Sequence, residues 1–159
     1  MTQRHRGQAT LEMLLVLLVL VPLLFGGYEL ARAISIRQAL DAGTDLAAQA
    51  MGTFPTRPDY AEQLIRDQLN ASALCPSCGN SAALRWCVSV NQGPCVTAPT
   101  AADLAPMFET CNLYEPDDWY GCPFYIKAQL PFRMSVPFVP LAPITLSTGY
   151  HGVVGVHTP

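Results

Sequence analysis

The sequence predicts an α+β protein in which a long N-terminal transmembrane helix continues into a small, disulfide-stapled head with a second helix and an antiparallel sheet. Three observations predict it. No charged residue occurs from position 13 to position 28. All six cysteines follow that stretch and none falls within it. The remainder alternates apolar and polar residues in short runs broken by proline and glycine, and 14 prolines in 159 residues exclude an all-helical bundle, because proline breaks helix interiors. Charged residues make up 13% of the chain, about half the ~25% usual for soluble proteins. The formal net charge is -3, with nine basic residues scattered among twelve acidic ones. That excludes a nucleic-acid binder working through clustered Lys and Arg on phosphates.

The apolar stretch is long enough to cross a bilayer. Residues 14–21 are all aliphatic, and the window 9–28 gives twenty residues, about the length that spans a ~30 Å hydrocarbon core. The core helix of a soluble protein rarely needs to be apolar on every side. Arg4, His5 and Arg6 precede the stretch, and the positive-inside bias keeps them cytoplasmic and sends the rest of the chain outside. Three readings of this N-terminus stand open. A secretory signal peptide would be cut after Ala31-Arg32-Ala33, which fits the small-x-small rule, but Glu12 and Glu29 are misplaced for it. A plain signal anchor is the second. In the third, a cut after Gly7 makes Gln8 the first residue of the mature chain and Glu12 the fifth, which accounts for the acid at the head of the apolar run.

The stretch Gly7-Gln8-Ala9-Thr10-Leu11-Glu12-Met13, followed by Pro22, Gly26, Gly27 and Glu29, resembles the start of the TadE/TadG family of minor pilin-like proteins from tight-adherence (Flp) pilus systems. That start typically reads basic-Gly-x-Ala-x-Val-Glu-Phe, then an apolar run with an embedded proline and a glycine before an acid. Leu11 and Met13 stand where Val and Phe are commoner and keep the apolar character. Gln8 replaces the aromatic usual at the first mature position of ordinary type IV pilins, which argues against that branch. The resemblance covers roughly residues 4–52, and the short chain favours the smaller, TadE-like type. It implies a leader over residues 1–7, removed after Gly7 by a prepilin peptidase that leaves the apolar segment attached. It also implies that Glu12 serves assembly by pairing with the new amino group of Gln8 on a neighbouring subunit. The partners implied are that peptidase, other pilin and minor pilin subunits, an inner-membrane assembly platform and the lipid bilayer.

Beyond the span, Ala33, Ile36, Leu40, Gly43, Ala47 and Ala50 follow a 3-4-3-4-3 spacing, so the helix continues to about residue 52 with one narrow seam of small residues. A helix over residues 8–51 is roughly 66 Å long, and Pro22 removes one of its hydrogen bonds. The seam packs either on this chain's own head or on neighbouring subunits. Residues 52–58 read as a linker, and the head occupies residues 53–159. A second helix starts at Asp59 as cap, with Glu62 three residues on, and ends between residues 70 and 74. Residues 83–90 read as a strand with Leu84, Trp86, Val88 and Val90 on one face, followed by a turn at 91–94 and a return at 95–97. Residues 124–134 form another, with Pro131 marking an edge or an end. Residues 136–143 are an extended proline-rich loop, and residues 144–157 a last strand or a hairpin around 149–152.

The cysteines are Cys75, Cys78, Cys87, Cys95, Cys111 and Cys122. In an oxidising compartment disulfides are the default, and six cysteines allow fifteen full connectivities. Cys87 and Cys95 flank the expected hairpin turn and Cys111 and Cys122 bracket an acidic loop, which leaves Cys75 with Cys78. A thiol oxidoreductase wants its C-x-x-C at a helix start after a strand; Cys75-Pro76-Ser77-Cys78 follows a helix instead. Haem attachment needs His after the second cysteine, and residue 79 is Gly. Zinc would need a second such pair or partnered histidines, whereas His151 and His157 stand in a different setting. Glu109, Glu115, Asp117 and Asp118 lack the spacing of a calcium loop. No catalytic residue, cofactor or metal site is expected. The expectation is a structural subunit of the bacterial inner membrane whose mechanism is assembly: processing, storage in the membrane, then incorporation into a filament or secretion machine. The alternatives are a membrane-anchored thiol-disulfide protein using Cys75 and Cys78, or a secreted binding module beginning at Ile34.

Overall fold

A computed structural model describes residues 4–75, 77–111 and 119–155. Glu115, Asp117, Asp118 and His157 lie outside the described residues. Helix α1 runs from Arg4–Thr53 and passes through Pro22 without a break. Helix α2 is Pro58–Ala71, strand β1 Arg85–Val90, strand β2 Val96–Thr97, helix α3 Ala101–Glu109, strand β3 Pro123–Phe132 and strand β4 Ile144–Val153. One helical turn, Cys78–Asn80, follows α2. The strands form a four-stranded antiparallel sheet in the order β2-β1-β3-β4.

Alternation along β3 and β1 sets the face of the sheet that meets the helices. Phe124, Ile126, Ala128, Leu130 and Phe132 are buried, while Tyr125, Lys127 and Gln129 between them are half-buried. The register sets Trp86 beside Ala128, Val88 beside Ile126 and Val90 beside Phe124, so both strands turn their apolar side the same way. The core lies between this face and the pair α1 and α2.

The seam of α1 faces its own head. Ala33, Ile36, Leu40, Gly43 and Ala47 are buried and Ala50 is half-buried, with Met51 added to the buried set. Gly43 decides how near α2 comes: a Cβ there would stand 3.0 Å from the Ile65 Cα and 3.3 Å from the Ile65 carbonyl oxygen. Small residues therefore serve a helix pair within one chain, α1 against α2. Thr44 is fully buried beside Gly43 and donates its hydroxyl back to the Leu40 carbonyl at 2.7 Å, which satisfies it without a partner from elsewhere.

Several boundaries differ from the sequence reading. Helix α2 begins one residue before Asp59, with Pro58 at its first position, where the fixed φ of proline suits a helix and its missing N–H breaks nothing. Asp59 therefore lies inside the first turn and pairs with Arg57 at 3.1 Å. Glu62 does not close a capping box. Its carboxylate takes Arg66 at 2.7 Å and the Trp86 indole N–H at 3.1 Å, which ties α2 to β1. Pro131 does not end β3. It pairs with Thr145 of β4, while β1 stops opposite Gln129, so β3 has become an edge on that side where Pro131 sits. The last apolar segment is one strand, β4, with Gly152 taking the Phe124 ring over it where a side chain would stand. Helix α3 has no counterpart in the sequence reading; it buries Leu104 and Phe108, and Phe108 stacks on Trp119 at 5.5 Å.

Candidate functional site

The chemistry-bearing residues singled out in the sequence fall in three places: the start of α1, the point where α1 enters the head, and the disulfides. Gly7 and Gln8 stand in the first turns of α1 and Glu12 in the next. Around and after them the helix is bare. Leu14 is 67% exposed and Leu18 70%, and an 18-residue window of mean hydropathy 2.4 has none of its residues buried. A helix with apolar side chains on every side and nothing from its own chain against them is a candidate membrane anchor. Glu12 is exposed, and no described cation pairs with it. The next cation along the chain is Arg32, twenty residues on, about 30 Å by the helical rise.

At the other end of the apolar stretch the charges are closed in. Glu29 is 5% exposed and its Oε1 lies 3.6 Å from Arg32 Nη1. The Arg32 Nε–H donates to the Leu74 carbonyl at 3.2 Å, and the guanidinium lies 5.3 Å from the Phe132 ring centroid. One side chain of α1 thus fastens the chain just ahead of Cys75 and the last residue of β3. The sequence reading used Glu29 as an obstacle to a signal peptide and as part of the family resemblance, and gave it no partner. The available signal was an acid closing an apolar run with an arginine three residues later, a spacing that brings both to one helix face.

All six cysteines are paired: Cys75–Cys78, Cys87–Cys95 across the β1–β2 turn, and Cys111–Cys122 from the end of α3 to the start of β3, with Cα separations of 5.4, 5.5 and 5.5 Å. The Cys75–Cys78 pair follows α2 rather than a strand. Its turn is held from outside: Asn70 Oδ1 accepts the Gly79 N–H at 3.0 Å, and Arg66 donates to the Gly79 carbonyl. His151 rests against the Tyr125 ring at 4.6 Å. Two carboxyls at helix starts sit below their ordinary value of 3.8. Asp59 is lowered first by its hydrogen bond from Arg57, and Asp103 by the Thr100 hydroxyl and then the Thr100 N–H. Neither faces the anchor.

The fold and this arrangement define a class: a protein with one long N-terminal helix, bare and apolar over its first half, carrying a disulfide-bonded α+β head. Residues 7–49 match the family model described as TadE-like protein, so the N-terminal segment is similar to that of TadE-like proteins of Tad pilus systems. The match begins at Gly7 and ends within the buried seam. No curated protein matches the chain, and no solved structure matches it.

Proposed function

We propose that this chain is a minor pilin-like subunit of a tight-adherence pilus or a related secretion machine. A prepilin peptidase removes residues 1–7, the apolar part of α1 holds the subunit in the inner membrane, and the head stands on the outer side. Arg4, His5 and Arg6 support that orientation through the positive-inside bias. The disulfides support it as well, since such bonds persist in oxidising compartments.

The observation that carries the reading is Glu12. A carboxylate inside an apolar span costs energy, less near the interface than at the centre, and such a residue is by default functional and in want of a partner. No described cation pairs with it. Cleavage after Gly7 would create one, the α-amino group of Gln8. On a neighbouring subunit that amine meets Glu12 and sets the axial register of one helix against the next. Other pilin subunits and the assembly platform are the partners in that step.

The test is the first residue of the mature chain after co-expression with the cognate peptidase. Gln8 at the N-terminus supports the proposal. Ile34 would replace it with a secretory signal, and an uncut chain would reduce α1 to a plain anchor.

A further inference from the structure

The loop from β3 to β4, residues 133–143, is exposed and apolar. Phe138 is 94% exposed, and Val139, Leu141 and Ile144 are exposed beside it. The loop contains no acid, and Arg133 is its one charge. A tight turn, closed by the Val139 N–H to the Val136 carbonyl at 3.2 Å, puts Phe138 at its tip with φ +66°. That region suits Gly or Asn; a bulky aromatic there is strained. Nothing in the head gains from the ring, which touches almost none of its own chain.

The place of the loop says what covers it. Strand β3 runs down to Phe132, whose ring lies under Arg32, and β4 runs back up until Gly155 donates its N–H to the Gly52 carbonyl at 2.8 Å. The sheet is thus strung along α1 between Arg32 and Gly52, and the β3–β4 loop hangs from its lower end. The head reaches far enough down to bury Glu29, the residue that directly follows the uncharged stretch. The loop therefore lies level with the end of the apolar half of α1. Beside it is a groove of about 550 Å³ lined by Arg32, Arg133, Ser81, Leu130, Phe132 and Pro143 among others, with no carboxylate among its described lining residues.

We propose that this loop is a second membrane contact. Phe138, Val139 and Leu141 enter the headgroup–acyl boundary of the leaflet from which the head emerges, while Arg133 and Arg32 face lipid phosphates at the mouth of the groove. Aromatic rings favour that depth, and long cationic side chains reach phosphates from it. Arg32 keeps its pair with Glu29 and offers its remaining donors. The contact makes the head lie against the bilayer on one side and fixes its rotation about α1. This inference rests on the reading of α1 as a membrane span with the head outside.

The experiment reconstitutes the full chain in vesicles of phosphatidylcholine and phosphatidylglycerol, with either plain or brominated acyl chains. Two variants, F138W and L18W, are each read as the emission gained over the parent, which carries Trp86 and Trp119. Brominated lipid is expected to remove most of the added emission of both variants. Quenching of L18W without quenching of F138W overturns the loop contact and leaves the anchor standing; a neighbouring protein head as occupant gives that result. Failure of both overturns the anchor and the loop contact with it. R133E added to F138W is expected to reduce quenching in vesicles containing phosphatidylglycerol. Unchanged quenching there would overturn the part assigned to charge.

Discussion

Helix α1 is one continuous helix with two opposite surfaces. From residue 13 to residue 28 it is apolar on all sides and touches almost nothing of its own chain. Above Glu29 it is amphipathic, and a seam from Ala33 to Met51 is buried against α2 and the sheet. Both halves are α-helical, and Pro22 costs the lower one a single hydrogen bond without breaking it, so secondary structure does not distinguish them. What distinguishes them is where each finds its partner. The upper half is satisfied inside the molecule; the lower half finds no partner there, and on the proposed function its partners are lipid and other subunits. Side-chain size marks the same division, with Leu and Val crowding the lower half and Gly43 letting α2 approach the upper one. A substitution in one half should therefore be silent in the assay that reports on the other.

The largest effect on this contrast comes from reducing the disulfides. Closing a loop as short as that between Cys111 and Cys122 contributes on the order of 2–3 kcal/mol, and the head has three such bonds to lose. In detergent, dithiothreitol should lower the thermal midpoint of the head sharply and abolish its near-ultraviolet dichroism. The lower half of α1 holds no cysteine, and much of the helical far-ultraviolet signal should remain. An unchanged midpoint, with the bonds shown intact beforehand and broken afterwards, contradicts this.

A smaller effect separates the two halves by a single residue type. Leu40 is fully buried, so Leu40→Ala should cost the head about 2–5 kcal/mol. Leu18 is 70% exposed, and Leu18→Ala should leave the same unfolding transition where it is. Equal shifts from the two would erase the division of α1 drawn here.

Smallest is the acid sensitivity of α3, far from the anchor. The Asp103 carboxyl accepts from the Thr100 hydroxyl at 2.6 Å and the Thr100 N–H at 2.9 Å, and these bonds hold it below its ordinary value of 3.8. A carboxyl lowered in the folded state contributes stability above its unfolded value and loses it as pH falls through the folded one. The head should therefore weaken slightly below about pH 3.8, and Asp103→Asn should flatten that part of the pH profile. Denaturant midpoints measured at pH 5 and pH 3 check it.

How far the sequence was legible follows from the range of each interaction. The seam of α1 and the alternation of β1 and β3 are periodic patterns, and periodicity survives in the chain itself. The choice between a seam for the head and a seam for neighbours was not legible, because it depends on Ile65 reaching Gly43 from another helix. Helix α3 is hard to see in the sequence because Pro106 stands inside it and the helix is short, although Thr100 and Asp103 carry a start signal. Glu62 has the spacing of a local cap and instead serves Trp86, a contact spanning 24 residues. The Arg32 tie to Leu74 and Phe132 is likewise long-range, so only the Glu29–Arg32 spacing was open to sequence reasoning.

The central claim is that the lower half of α1 works through Glu12 between subunits and not within the fold. Its most direct test is Glu12→Leu in the native pilus system, scored by piliation and by co-purification of this subunit with the other pilins. The variant is expected to insert into the membrane, keep the wild-type thermal midpoint of its head and lose assembly, while Glu12→Asp keeps part of it. A Glu12→Leu subunit that assembles like wild type would contradict the account and leave the acid without a role.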